Sequence, residues 1–389
     1  AMRLLRYAIL TSILWTLPSF VLAYFNPALG SALSHLTMLL MIGYFVVVKD
    51  KGPLLWVFIL LGLTYYFIGG LQYTGIPERD YLMLIIKYMI VIVSGTEVLR
   101  RTSLPEIYVV LIFGALSIII HAVFFPFQNA NFTPNYGRYS GFYLNPNHAG
   151  AISLIGLALS FGVKNRKLKY LGFLVFALGG FFTFSRYFLA MFLAINMVLV
   201  YNNKKHLIAP VLGAIGMVII FSFSSSLNLN TERFNAIKSI FSSEQEVEAA
   251  TLQEDSRTQT WASYKDIVMD RPLLGHGYGT LQGNHFGLTV GVHNTYLMVI
   301  GEAGIFPFLI LIGMWFFFLI KGFSYFKSKP QFSIMALVLV TALLVSHTYF
   351  DKYSLLFISV YLYLALTEDL KKREQSTKRE IIRRPHILK

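Results

Sequence analysis

Apolar residues along this chain fall in long runs separated by short polar breaks. Twelve runs can be drawn: 7–24, 29–48, 53–70, 80–98, 104–127, 147–163, 168–184, 187–202, 206–223, 293–320, 331–348 and 353–368. A helix rises about 1.5 Å per residue, so roughly 20 residues cross a bilayer's hydrocarbon core. The pattern therefore predicts an all-α polytopic membrane protein with about 12 transmembrane helices. One stretch breaks the pattern. Residues 224–292 form a long hydrophilic loop domain, set between helices 1–9 in residues 1–223 and helices 10–12 in residues 293–368. A basic tail, 369–389, follows.

The loop has its own periodicity. Phe234, Ile237 and Phe241 fall at helical spacing after Thr231, a plausible N-cap, and predict a short helix lying in the head-group plane. Residues 244–254 are acidic and unpatterned. From about Asp255 a second helix runs to Pro272. Arg257, Trp261, Tyr264 and Val268 share one of its faces, which turns Arg257 toward the membrane-embedded body. The alternative is a surface pair between Arg257 and Asp255 or Glu254.

Composition agrees with a membrane protein. Only 13% of residues are charged, 56% are hydrophobic and mean hydropathy is +0.60, whereas soluble proteins carry about 25% charged residues. The chain has no cysteine, which excludes disulfides, thiolate metal sites and cysteine nucleophiles. The net charge of +14 does not point to nucleic acid. Most basic residues sit in alternate breaks: Arg3/Arg6, Lys49/Lys51, Arg100/Arg101, Lys164 to Lys169, Lys204/Lys205, Lys321 to Lys329, and the tail. They read as contacts to the phospholipid bilayer. The positive-inside rule then places both termini in the cytoplasm and the long loop outside. The first run reads as a retained span rather than a cleaved leader.

This orientation puts Arg138, Arg186, Arg257 and His293 on the outer side. An arginine there runs against the charge bias and asks for an anionic partner. For Arg138 that partner is a pyrophosphate, a lipid phosphate or a nearby carboxylate; Arg186 has the alternative of snorkelling from a helix end. Arg79 and Lys352 are read as ordinary outer-face charges. Lys87 and Glu302 lie within apolar runs at similar depth. A charge in lipid is costly and usually paired, so the two are expected to pair or to line one polar cavity. The alternative for Glu302 is a protonated carboxyl bonded to backbone.

Gly275-His276-Gly277-Tyr278-Gly279 lacks the Lys-Ser/Thr of a phosphate-cradling loop and reads as a turn returning the chain to the membrane. No histidine pair stands at metal spacing, so no metal is expected. No internal repeat is visible. His293, at the lip of a run and followed by Asn294, offers an imidazole that can take a hydroxyl proton near neutral pH, or alternatively a helix cap. Arginines suit a pyrophosphate because they stay charged and donate in pairs. Together these parts suggest glycosyl transfer from a polyprenyl-pyrophosphate donor to a hydroxyl.

Four motifs occur in order: Arg138…Gly141-Phe142…Asn145-Pro146-Asn147; Ser185-Arg186; Arg257…Trp261…Pro272-Leu273-Leu274-Gly275-His276-Gly277; and His293-Asn294, then nine residues, then Gly304. In these the chain resembles the O-antigen ligase / O-antigen polymerase superfamily of bacterial inner membranes. The resemblance implies a GT-C-like, metal-independent enzyme with no cofactor, acting at the periplasmic face on an undecaprenyl-pyrophosphate-linked glycan donor. The acceptor would be lipid A–core oligosaccharide for a ligase or a second lipid-linked glycan for a polymerase. It implies His293 as base, Arg186 and Arg257 on the pyrophosphate and Arg138 as an aid. Asn294, Glu302, Lys87, Asn147, His276 and Trp261 are taken as supporting residues. A lipid-glycan transporter is the alternative of another class; it calls for polar residues at the bilayer midplane, where only Lys87 and Glu302 stand.

Overall fold

The structure, a computed structural model, describes residues 2–73, 81–134, 136–223, 227, 229 and 256–383. For Phe221, 256–258 and 369–383 it describes the backbone alone. The expected loop helix 231–241, the acidic stretch 244–254, Arg79 and residues 384–389 lie outside the described residues.

The described chain is helical: α1 (Met2–Leu14), α2 (Leu17–Tyr24), α3 (Pro27–Val47), α4 (Trp56–Gly70), α5 (Tyr81–Arg100), α6 (Leu104–Phe124), α7 (Pro146–Ser160), α8 (Arg166–Phe182), α9 (Arg186–Asn202), α10 (Ile208–Ser222), α11 (Ser256–Asp270), α12 (Thr295–Ala303), α13 (Ile305–Ser324), α14 (Pro330–Ala342) and α15 (Tyr353–Arg383). Among the described residues the only β feature is an isolated bridge between His285 and Leu288. Each apolar run of the sequence has become helix. Start signals are explicit. Asn26 and Asn145 accept hydrogen bonds from the first turns they precede, each followed by a proline that needs no donor there. Ser103 and Glu106 form a capping box.

Two runs read as single spans are broken. The run 7–24 is two helices bent by 60°, with Thr16 left-handed at φ 51° between them. The run 293–320 is interrupted at Gly304, whose φ of 78° and ψ of −166° end α12 and start α13. That conformation is close to glycine-only. Among the described residues, four helices are long and apolar enough to cross a membrane: α3, α5, α6 and α13. The bent pair α1–α2 makes five. The other apolar helices, α4, α9, α14 and the apolar part of α15, are shorter.

α7 is the central helix. Every residue of it except Asn147 is buried, and it packs against α6, α8, α9 and α14. Around it, Leu39, Phe67, Leu193 and Phe316 stay exposed, as lipid-facing side chains do.

The breaks between helices gather at two ends. At the basic end Arg6 bonds Glu106 at 2.5 Å, Arg101 bonds the Asp50 carbonyl, Tyr108 reaches the Leu168 carbonyl and Phe161 packs on His206. The loops rich in lysine and arginine are therefore neighbours. The opposite end collects the segments 125–145, 183–186, 271–294 and 343–352, where the candidate residues lie.

Candidate functional site

Arg138 begins the site, and it is buried. Its guanidinium spends three donors on protein: Nε to the Thr183 carbonyl (3.0 Å), Nη1 to the Tyr136 hydroxyl (2.7 Å) and Nη2 to Asn147 Oδ1 (3.1 Å). It also sits over the Tyr136 ring. The Asn147 oxygen accepts a second bond from Ser185 Oγ at 2.9 Å. Ser185 is in turn the N-cap of α9, accepting from Phe188 N. Arg138 and Asn147 thus tie the start of α7 to the start of α9. The next residue, Arg186, is exposed at the first position of α9. A buried three-way tie delivers an exposed arginine at a helix N-terminus, where the helix dipole already favours an anion.

The polar loop returns to the membrane through the glycine-rich turn. The backbone N–H groups of His276 and Gly277 donate to the carbonyls of Gly301 and Glu302, and that of Tyr278 donates to Gly69. Gly275, at φ 71°, lies against the Glu302 backbone; a Cβ there would stand 2.4 Å from its carbonyl carbon. His276 Nε2 meets the Ile267 carbonyl at 2.6 Å, so it fastens α11 to the turn. Glu302 is fully buried. Its carboxylate accepts from the Tyr65 hydroxyl (2.5 Å), Leu281 N (3.1 Å) and Gln282 Nε2 (3.3 Å). Lys87 donates instead to Ser34 Oγ at 3.1 Å. The expected Lys87–Glu302 pair is not formed, because the returning turn brings its own donors to the carboxylate. Of the backbone alternative, the contact present is the Leu281 N–H donating to the side chain rather than a carbonyl accepting from it.

On α11, Tyr264 and Val268 are buried and Trp261 half-buried on one face, as the spacing predicts. The Trp261 indole N–H is buried with no hydrogen-bond partner among the described residues. Arg257 occupies the second position of the helix, and its side chain lies outside the described residues.

His293 is exposed, with a left-handed backbone (φ 47°). Asn294, not His293, is the cap of α12: its Oδ1 accepts from Tyr296 N and Leu297 N. This leaves the imidazole off the helix end. The same end of α12 is stitched to the end of α14. Thr295 N donates to the Leu343 carbonyl (2.8 Å), Thr295 Oγ1 to the Ser346 carbonyl (2.6 Å) and the Tyr296 hydroxyl to the Val340 carbonyl (2.8 Å). The start of α9 docks on the same turn: the Tyr187 hydroxyl reaches the Val338 carbonyl and Thr341 Oγ1. Arg186 and His293 therefore each stand one or two residues from side chains that grip the last turn of α14. Residues 107 positions apart in the chain share one end of one helix.

Arg138 and Asn147 are bonded to each other beside Arg186, and the segments holding Arg186 and His293-Asn294 both bond the end of α14. The structure sets Glu302, His276 and Trp261 beneath the loop as fasteners, and Lys87 apart from them. One neighbour was not foreseen. His347, on the segment after α14, has its ring centroid 4.7 Å from that of His293. No motif marked it, because it sits in an apolar run. On the same segment, burial lowers the Lys352 ammonium below its ordinary range, with Asp351 acting the other way. Among the described residues no three His, Asp or Glu side chains gather as a metal site.

Residues 171–312 match the family model described as O-Antigen ligase. The match supports the O-antigen ligase superfamily for this chain. The matched segment runs from α8 into α13 and so holds Arg186, Arg257, His276, His293, Glu302 and Gly304; Arg138, Asn147 and His347 lie outside it. Members of the superfamily are membrane glycosyltransferases of ligase and polymerase type. No curated protein and no solved structure matches the chain.

Proposed function

We propose that this O-antigen ligase superfamily protein transfers a glycan from undecaprenyl pyrophosphate to an acceptor hydroxyl at the periplasmic face of the inner membrane, without a metal, and that the acceptor is lipid A–core oligosaccharide. The observation that supports the reading is that Tyr187, beside Arg186, and Thr295, two residues after His293, both bond the C-terminal end of α14. It supplies an anion site and a base at one end of the bundle. The neutral imidazole of His293 takes the proton as the acceptor oxygen bonds to the anomeric carbon. The bond from that carbon to the pyrophosphate breaks, and its electron pair leaves on the phosphate. Arg186, Arg257 and the N-termini of α9 and α12 meet the departing negative charge.

The test is turnover by purified protein with undecaprenyl-pyrophosphate-linked glycan, with lipid A–core present or omitted and with no ion gradient. Product on lipid A–core supports the ligase; longer lipid-linked glycan without it supports a polymerase. Turnover without a gradient argues against a transporter. His293→Ala is expected to abolish transfer and keep donor binding. Wild-type transfer by that variant would remove the role given to the imidazole.

A further inference from the structure

The ring beside His293 calls for a role. The centroids of His293 and His347 are 4.7 Å apart and their planes are inclined by 50°. Both rings belong to one frame. His347 follows Ser346, whose carbonyl accepts from Thr295 Oγ1 at 2.6 Å. Ser346 Oγ in turn accepts from Thr348 N at 3.3 Å. His293 lies between Val292, whose N–H donates to the Leu281 carbonyl at 2.9 Å, and the Asn294 cap. A left-handed backbone costs a residue with a side chain about 1–2 kcal/mol, and these flanking bonds hold it in place. The two imidazoles are thus set side by side by backbone anchors, not by two independent loops.

Two imidazoles at this separation do not readily carry two protons, because like charges repel. The positive end of α12 points the same way. Such a pair titrates as a unit. We propose that His347 is a positioning residue for His293: it offers the pair's proton a second seat and so keeps the His293 ring neutral and oriented for the acceptor hydroxyl. The inference rests on the transfer reading above. In the step, the acceptor O–H bond breaks and its proton passes to a His293 nitrogen, while bond making and breaking at carbon are as described. His347 forms no bond to carbon. The other charged and titratable groups on the elements packed there are Tyr296 and Glu302 on α12, Tyr264, Lys265, Asp266 and Asp270 on α11, Arg186, Tyr187 and Tyr201 on α9, Arg271, His276, Tyr278 and His285 on the returning loop, and Tyr349, Asp351 and Lys352 beside His347; α14 carries none.

Two variants push the pair in opposite directions. kcat and KM are measured against pH for the wild type, His347→Gln and His347→Lys, with undecaprenyl pyrophosphate bearing a short glycan as donor. The His293 ring is titrated in parallel by NMR of 15N-histidine-labelled protein. In His347→Gln the acid limb of kcat and the His293 midpoint are expected to rise by about half a pH unit or more, with donor KM little changed. In His347→Lys both move down, because a fixed cation opposes a proton on His293. A purely structural role would move both variants the same way. Unchanged midpoints, or shifts of one sign in both variants, overturn the proposal. If His347→Gln does not fold, His347→Asn takes its place. Opposed midpoint shifts together with wild-type turnover in His293→Ala would sink the transfer reading alone and leave the pairing of the rings standing.

Discussion

Arg138 looks in the sequence like a ligand for an anion, yet three of its donors are committed to Thr183, Tyr136 and Asn147. Its work is to hold the turn that presents Arg186. Arg138→Lys keeps the charge but loses the planar fork that reaches three acceptors. Transfer is expected to fall on the order of tenfold or more, since misplacing a positioned group by about 1 Å is costly, and a rate within twofold of wild type would contradict this role. Glu302 is the corresponding fastener below the loop. Glu302→Gln sets an amide NH2 or a carbonyl against donors from Tyr65, Leu281 and Gln282, so one donor meets another. A loss of about 1–3 kcal/mol is expected, read as a lower thermal midpoint in detergent; an unchanged midpoint would show that the carboxylate is not the anchor.

At the scale of elements, the site depends on where helices stop. α12 has only nine residues, and Gly304 lets the chain start α13 while the Leu273–Leu274 backbone packs against the break. A Cβ on Gly304 would lie 2.0 Å from the Leu273 carbonyl oxygen. Gly304→Ala and Gly275→Ala are therefore expected to prevent the loop from docking and to deplete folded protein in the membrane. Gly287 also has positive φ (72°), but a Cβ there meets nothing within 4 Å. Gly287→Ala should cost only about 1 kcal/mol of backbone strain. Equal yields of all three in detergent size-exclusion profiles would contradict the close approach at the break.

At the scale of the molecule, the two ends of the bundle differ in charge, and the expected orientation rests on that difference. The wild-type chain has no cysteine, so single cysteines can be read without background. Thr289→Cys, at the site end, is expected to react with a membrane-impermeant maleimide in intact cells. Lys167→Cys, at the basic end, should react only after the membrane is opened. The reverse pattern would invert the topology and move the proposed chemistry to the cytoplasm.

The helical runs, the basic end and the turn at Gly275 to Gly279 are legible in the sequence because each rests on neighbours within a few residues. The face Trp261–Tyr264–Val268 is legible for the same reason, and the four motifs marked Arg186 and His293. What the tertiary structure alone decides rests on contacts between distant residues. Tyr65 and Glu302 are 237 positions apart, and no local pattern couples them, whereas Lys87 and Glu302 share only a depth in their runs. The breaks at Thr16 and Gly304 arise from packing that overrides continuous apolar runs. His347 carries no motif and earns a place only because the end of α14 is stitched to the start of α12. Short-range preference determines the elements; long-range hydrogen bonding determines which side chains they bring face to face.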